Sequence, residues 1–278
     1  MIELGKINTL RVARSCEFGY YLDAQGKTTS EDILIPNGNI VGEIEVDEEI
    51  EVFVYKDSMD RPIATMKQVL AQVGEPAYLE VVDKSGIGYF VGIGIERDVL
   101  VPFREASYDL EVGKKYLLCL YVDKTNRIAA TTRIDKYLHD TTHYNIGEEI
   151  EGTVYGRHHN GNLVIALENT FRGIILKNEY FGDIEIGDVI KVRVKKYFSD
   201  GKVEVTTRKP RLDEMGEMEE VIMNYLKQND GFMRFNDKTS PEDIKKYFKC
   251  SKNGFKRALG GLMKKGLIEQ NIEGTRLK

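Results

Sequence analysis

One pattern occurs three times in this chain, and it constrains the fold more than any other feature. Each copy opens with an acidic and an aliphatic residue, after which apolar side chains alternate with others: EVDEEIEVFVY (45–55), EVGKKYLLCLY (111–121) and EIGDVIKVRVK (185–195). Alternation with a period of two is typical of a half-buried strand. Each copy therefore predicts a turn followed by a strand.

Further landmarks accompany every copy in the same order. Upstream, a glycine and a valine stand seven residues apart in GKINTLRV (5–12), GEPAYLEV (74–81) and GEEIEGTV (147–154). Downstream lie the related stretches RPIATMK (61–67), RIAATTR (127–133) and KVEVTTR (202–208). The chain thus repeats a unit of roughly 70 residues that contains about five short strands.

Five strands in a unit of this size favour a small closed or partly open barrel of the OB type, which leaves few exposed sheet edges. A three-bladed propeller and a two-sheet sandwich are the competing architectures. Propellers normally have at least about four blades and shorter repeats. We therefore predict three tandem OB-fold barrels, in a protein that is mainly β with an α+β tail.

The last part of the chain has a helical pattern instead. Met218, Val221 and Ile222 begin an apolar stripe at helical spacing. A second helix is predicted to start at Ser240 and a third to end at Gly266, and a hairpin follows with its turn near Gly274. Three helices and a hairpin are the layout of a winged helix-turn-helix. The predicted domains are 1–70, 71–144 and 145–209 for the barrels and 210–278 for the winged helix.

Composition limits the other classes. The 278 residues are 41% hydrophobic, and neither a run of about eighteen apolar residues nor a signal-peptide pattern occurs. We expect a soluble, cytoplasmic protein without a membrane partner. The three cysteines, Cys16, Cys119 and Cys250, form no CxxC, which argues against a disulfide framework and a thiolate zinc site. They are expected to be small buried residues in a reducing compartment.

The net charge of −5 excludes a uniformly basic nucleic-acid binder, but the charge is unevenly distributed. Residues 1–70 hold seven basic and thirteen acidic side chains, and residues 210–278 hold fourteen and eleven. The net charge rises from −6 through −2 and 0 to +3 across the four predicted domains. If the protein binds a polyanion, the electrostatic attraction should lie mainly in the second half.

The stretch CEFGYYL (16–22) places three rings around a glycine. Successive side chains of a strand point to opposite faces, so Tyr20 and Tyr21 cannot both be buried. An exposed ring beside a glycine is suited to the stacking of a nucleotide base. The stretch predicts an aromatic binding face.

These residues resemble a known domain. Phe18-Gly19, with Tyr21 three positions after Phe18, followed by DRPIATM (60–66), is similar to the S1 RNA-binding domain, an OB-fold variant. Three such repeats before a winged helix resemble the bacterial conserved virulence factor B family. The resemblance implies RNA binding and a regulatory role in gene expression, without catalysis or a cofactor.

The resemblance also implies which positions would form the RNA face in each repeat. They are Phe18 and Tyr21 with Asp57 and Arg61 in the first, Ile87 and Phe90 with Asp123 and Arg127 in the second, and Asn160 and Leu163 with Lys202 in the third. Lys202 has no matching acid in this motif.

Two further candidate sites follow from residue chemistry. RHHNGN (157–162) offers Arg157 for a phosphate and His158 for base stacking, although a polar hairpin is the simpler interpretation. The third C-terminal helix carries Lys252, Lys256 and Arg257, and no acid occurs between residues 244 and 268. We expect this helix to contact nucleic acid.

Two other motifs are weak. HDTTH (139–143) has histidines at the spacing of a zinc helix, but its acid is short and its threonines disfavour a helix, so we interpret it as a linker. GIGYFVGIGIERD (86–98) lacks the third glycine of a dinucleotide site and fits a curved strand better. We predict neither a metal site nor a cofactor.

Three functions compete. The leading hypothesis is a non-catalytic regulator that binds single-stranded RNA. The alternative is a DNA-binding transcriptional regulator whose barrels, the acidic first one above all, bind protein partners; the scarcity of base-reading side chains on the third helix argues against it. A hydrolase would need clustered carboxylates or a ligand set that the sequence does not contain.

Overall fold

The computed structural model describes residues 2–24, 31–208 and 211–278. The first barrel comprises β1 (Ile7–Cys16), β2 (Gly19–Leu22), β3 (Ile33–Pro36), β4 (Glu49–Lys56) and β5 (Pro62–Thr65). The second comprises β6 (Pro76–Lys84), β7 (Gly88–Val91), β8 (Val99–Pro102), β9 (Lys115–Val122) and β10 (Ile128–Thr131). The third comprises β11 (Glu149–Arg157), β12 (Leu163–Leu167), β13 (Phe171–Ile175), β14 (Val189–Tyr197) and β15 (Val203–Thr206).

All three sheets close in the same order. In the first, the order β1-β2-β3-β5-β4 returns to β1, and the other two repeat it. The first strand pairs antiparallel with both the second and the fourth, as Ile7–Cys16 does with β2 and β4. Three OB-like barrels are thereby confirmed, and the propeller and sandwich alternatives are wrong.

A β-bulge lies at the same place on the first strand of each barrel. It falls after Val12, Val81 and Val154, each of which is fully buried in its barrel. A bulge bends a strand and increases its twist. The bulge also shifts the alternation of side chains by one residue. Arg14 in the first barrel, and its equivalents in the other two, therefore face outward on the surface that carries the candidate binding residues.

Gly19 shows how tightly the first barrel closes at its β1–β2 turn. Its φ is +151°, and a Cβ at this position would lie 2.0 Å from the carbonyl oxygen of Ile35 on the paired strand. We expect Gly19→Ala to lower the free energy of unfolding by roughly 3 kcal/mol, because both the backbone and the contact oppose a side chain. Urea unfolding measures the loss. The matched control is Gly38→Ala, where a Cβ would meet nothing within 4 Å, and equal effects of the two substitutions would contradict the prediction.

The C-terminal region folds as the sequence predicts. It contains α1 (Arg211–Gln228), β16 (Phe232–Met233), α2 (Pro241–Phe248), α3 (Lys252–Lys264), β17 (Ile268–Gln270) and β18 (Thr275–Leu277). Ser240 caps α2 by accepting a hydrogen bond from the amide of Asp243 at 3.1 Å. Phe255, Leu259 and Leu262 of α3 are buried, as expected. Helix α1 begins earlier than its apolar stripe indicates, and β16 joins the hairpin to give a three-stranded sheet.

The second and third barrels share a hydrophobic cluster. Leu117, Ile134 and Leu138 pack together with Tyr155 and Ala166 of the third barrel. Tyr78 of β6 also donates a hydrogen bond to the carbonyl oxygen of Gly187 at 2.7 Å. These contacts hold the two barrels together along one side.

The cysteines differ in burial. Cys119 is fully buried, whereas Cys16 and Cys250 are half-buried, and none of the three forms a disulfide bond. The expectation of three buried thiols is therefore wrong for Cys16, which is the last residue of β1, and for Cys250, which lies just before α3.

The chain divides into two compact units, of which one comprises Met1–Ile174 with Glu185–Glu204 and the other comprises Ile175–Ile184 with Val205–Lys278. Domain boundaries after residues 70, 144 and 209 stay a prediction. In the described ranges, every helix is too short or too polar to cross a membrane.

Candidate nucleic-acid interface

The outer face of the first barrel carries a row of apolar side chains across three strands. Tyr21 of β2 pairs with Leu34 of β3, which pairs in turn with Ile63 of β5. Each of the three is half-buried, while their strand neighbours pack inward. Phe18 stands in the turn before β2 with 69% of its surface exposed. The ring pattern of CEFGYYL thus resolves into Tyr20 against the core and Phe18 and Tyr21 on the outer face.

Arg14 is a member of this face that the sequence reasoning missed. It follows the bulge of β1 and lies opposite Tyr21, and its guanidinium carbon is 4.2 Å from the centre of the Tyr21 ring. The same guanidinium forms an ion pair with Asp32. A cation placed over a ring extends the surface on which a base can stack. The spacing of Arg14 and Tyr21 in the sequence does not indicate that they pair, because the bulge shifts the register between β1 and β2.

The second barrel presents the equivalent row to a groove. Phe90 pairs with Leu100, which pairs with Ala129, and Ile87 is 65% exposed at the position of Phe18. These residues form the floor of a groove of about 670 Å³ whose opposite wall is the β4–β5 turn of the first barrel. Six carboxylates and three basic groups line it: Asp57, Asp60, Asp83, Glu96, Asp98 and Asp123, with Lys56, Arg97 and Arg127. We name this space the first groove.

The basic residues carried over from the S1 pattern are all ion-paired. Arg61 Nη2 lies 2.7 Å from Asp57 Oδ2. Arg127 donates through Nε to Asp60 of the first barrel at 2.7 Å, rather than to its own Asp123. This hydrogen bond lowers the pKa of the Asp60 carboxyl below its ordinary value. These charges reach a phosphate only in competition with a carboxylate.

Lys202 is paired in the same way. Its Nζ lies 3.0 Å from Asp200 Oδ2. The motif position four residues before Lys202 holds Phe198 rather than an acid, and the partner Asp200 stands two residues before Lys202 instead.

The register of the third barrel corrects another sequence expectation. Across the bulges, Arg14 faces Tyr21, Asp83 faces Phe90 and Gly156 faces Val164. The turn of the third barrel is one residue longer, since His158 bonds to Asn162. Val164, rather than Leu163, therefore lies at the position equivalent to Tyr21 of the first barrel. Gly161, rather than Asn160, lies at the position equivalent to Phe18. Leu163 is fully buried.

Arg157 and His158 are exposed beside this ring-free position. Together with Val164 they line a cleft of about 480 Å³ between the second and third barrels, whose other wall includes Tyr108 and Arg133. We name this space the second cleft.

The third helix of the winged helix presents basic side chains to solvent. Lys256 and Arg257 are exposed and Lys252 is half-buried. Among the described residues, no carboxylate lies within ion-pair distance of these three, whereas Lys265 of the same region is paired with Glu219. The three uncompensated charges lie within two turns of α3.

The histidines of HDTTH do not lie on a helix. His139 forms a backbone bridge with Phe171, and the ring of His143 packs 3.9 Å from the ring of Tyr144. Within the part of the chain that the structure describes, no three His, Cys, Asp or Glu side chains are grouped so as to hold a metal ion.

Comparisons with known proteins agree with this architecture. Residues 4–67 and 73–133 match the S1 domain, and residues 220–277 match the CvfB-like winged helix domain. Bacillus subtilis YitL is 33% identical over 276 residues, which cover 96% of this chain and 91% of YitL. Conserved virulence factor B of Staphylococcus epidermidis is 27% identical over 284 residues, covering 94% and 93%.

A solved structure also matches along the full length. A multidomain protein with nucleic acid binding domains from Streptococcus pneumoniae is 25% identical with a TM-score of 0.52, and the match covers 99% of this chain and 98% of that one. Tandem S1 barrels, a CvfB-like winged helix and these relatives lead to one assignment: the chain belongs to the conserved virulence factor B family.

Proposed function

We propose that this chain is a non-catalytic, cytoplasmic regulator of gene expression that binds single-stranded RNA through its S1 barrels and its basic winged helix. The S1 matches, and the relative described as having nucleic acid binding domains, support nucleic-acid binding. Rings and cations among the candidate residues are the groups that bind bases and phosphates.

The observation that carries the proposal is the outer face of the first barrel. Phe18 is 69% exposed, and Tyr21 beside it is stacked with Arg14. An exposed ring gains no stability from burial, and its flat face next to a cation is free to stack with a base, which supports a binding role. Every nucleotide base has a flat face, so this aromatic surface can bind RNA strands of different sequence.

Affinity for phosphates comes from elsewhere in this proposal. The first barrel is acidic as a whole, and its Arg61 is paired with Asp57. The uncompensated cations of α3, Lys252, Lys256 and Arg257, supply attraction to the backbone. Barrel and winged helix then act on one strand as linked modules, each raising the effective concentration of the other.

A DNA-binding transcriptional regulator remains the second candidate because of one observation on α3. Asn253 and Arg257 are exposed and one helical turn apart. Asparagine and arginine are the side chains that read adenine and guanine in the major groove. In this alternative the winged helix reads a duplex and the barrels bind protein partners.

A competition experiment decides between the two candidates. A labelled single-stranded RNA bound to the full chain is displaced with unlabelled single-stranded RNA, single-stranded DNA or duplex DNA of equal length and at equal salt. We expect the RNA to compete at a concentration at least about tenfold lower than the duplex, because splayed bases reach a barrel face and paired bases do not. Stronger competition by the duplex would establish the alternative.

A further inference from the structure

The two spaces between neighbouring barrels differ in charge. The first groove has twice as many carboxylates as basic groups on its walls. The second cleft has Arg133, Arg157 and His158 with a single carboxylate, that of Asp135. A strand of phosphates is repelled by the first space and attracted by the second.

The second cleft lies at a position where the third barrel carries small side chains. Gly156 and Val164 stand at its wall, in the places that Arg14 and Tyr21 occupy in the first barrel. The smaller side chains leave a volume of about 480 Å³, which lies in the range of small-ligand sites, roughly 300–1,000 Å³. Val164 and Gly156 therefore offer no ring or cation at this wall, and the contacts to a ligand come from the other lining residues.

The walls of this cleft are held in place by packing. Tyr155 and Ile134 belong to the cluster that the second and third barrels share. The Tyr155 hydroxyl donates to Asp135 Oδ1 at 2.9 Å across the same junction. A ligand therefore meets a preformed site and loses little binding free energy to reorganisation.

The charged groups at the mouth are suited to a phosphate. Arg133 Nη2 donates to the carbonyl oxygen of Arg104 at 2.9 Å, which orients the guanidinium and uses only part of its donor capacity. His158 is exposed on the opposite wall. The guanidinium of Arg133 and the imidazole of His158 can contact the two sides of one phosphodiester.

The interior of the cleft offers contacts for a base. Tyr108, which is half-buried, and Tyr155, which is 7% exposed, are among its lining residues, and Asp135 can accept a hydrogen bond from an amino or imino group. The buried Tyr108 hydroxyl has no hydrogen-bond partner among the described residues. Burial raises the pKa of this hydroxyl, which stays neutral and shielded from solvent, so the surface that Tyr108 offers to a base is its ring.

We propose that the second cleft holds one nucleotide of a bound RNA strand, with its base between the barrels near Tyr108 and Tyr155 and its phosphate between Arg133 and His158. This inference rests on the proposed RNA binding and specifies where the strand crosses from the second barrel to the third. The first groove is not part of that path.

Two exposed serines allow a matched test. Ser107 lines the second cleft, and Ser58 lines the first groove. Ser107→Glu adds a negative charge to the proposed site, and Ser107→Gln adds a neutral side chain of nearly the same shape. Ser58→Glu and Ser58→Gln repeat the comparison in the other space. Both serines are exposed, so all four variants are expected to fold, and thermal unfolding checks this.

The full chain is titrated into a labelled single-stranded RNA at fixed salt. We expect Ser107→Glu to bind about tenfold more weakly than Ser107→Gln. The Ser58 pair should differ by about twofold or less, since an added charge there acts only at long range. Equal affinities within the Ser107 pair, while the unmodified chain binds RNA, would overturn the inference and leave the proposed function standing. If the unmodified chain binds no RNA, the proposed function itself fails.

A second measurement locates the base directly. RNA that contains 4-thiouridine is photo-crosslinked to the full chain, and the crosslinked peptides are identified by mass spectrometry. We expect crosslinks to the peptides that contain Tyr108 or Tyr155, and a loss of these crosslinks in Ser107→Glu. Crosslinks confined to the first groove or to the winged helix would contradict the proposed path.

Discussion

Replacing Lys252, Lys256 and Arg257 together with alanine is expected to cause a large loss of RNA affinity. The three side chains have no carboxylate partner among the described residues, so their charges are available to phosphates. Each lost contact should reduce the slope of log K against log salt by about one unit. At moderate salt we expect a loss on the order of 100-fold. Fluorescence anisotropy at several salt concentrations measures both quantities.

The control removes the same charge from the barrels. Lys115, Lys124 and Lys191 are exposed and belong to none of the candidate faces. Their triple replacement with alanine should change the affinity by about threefold or less, because distant exposed charges are screened by salt. If both triple variants lose the same affinity and slope, binding depends on net charge alone and α3 has no special part in it.

The second large effect is expected at the aromatic face of the first barrel. Phe18→Ala should weaken RNA binding by roughly 1–3 kcal/mol, the loss of one base stack, and leave the salt slope unchanged because the ring neutralises no phosphate. Folding stability should change little, since the side chain is 69% exposed. Adding Tyr21→Ala should lower the affinity further and also release Arg14 from its stacked position.

Ile87→Ala is the matched control for Phe18→Ala. Ile87 stands at the equivalent turn of the second barrel and is 65% exposed, but it lies in the carboxylate-lined first groove. We expect no measurable change in RNA affinity from this substitution. An unchanged affinity in Phe18→Ala would show that the exposed ring serves another purpose, and a loss in Ile87→Ala would bring the first groove back into the RNA path.

The charge gradient along the sequence suggests a test with residues 145–278 alone, but the structure argues against that fragment. The cut would remove Leu117 and Ile134 from the cluster that they form with Tyr155 and Ala166. The fragment would expose this apolar surface and lose stability for reasons unrelated to RNA. Substitutions in the full chain separate the two effects.

Much of the fold follows from local patterns in the sequence. Period-two alternation predicts the half-buried strands, and recurrence of the pattern predicts three barrels, because each strand's periodicity is decided by its own residues. The start of α2 at Ser240 and the buried positions Phe255 and Leu259 of α3 are equally local, since capping and helical spacing act within a few residues. The sequence also singles out Phe18 as part of an exposed aromatic stretch.

The tertiary structure decides what surrounds each candidate side chain. Arg127 pairs with Asp60, which lies 67 positions away in another barrel, and no spacing rule relates two such residues. One extra turn residue in the third barrel moves Val164 into the place predicted for Leu163, because a shift of one position turns every side chain of a strand to the opposite face. Local sequence specifies strands, caps and exposed rings. Register, ion pairing and the charge of the spaces between barrels depend on contacts between segments far apart in the chain, which only the packed structure brings together.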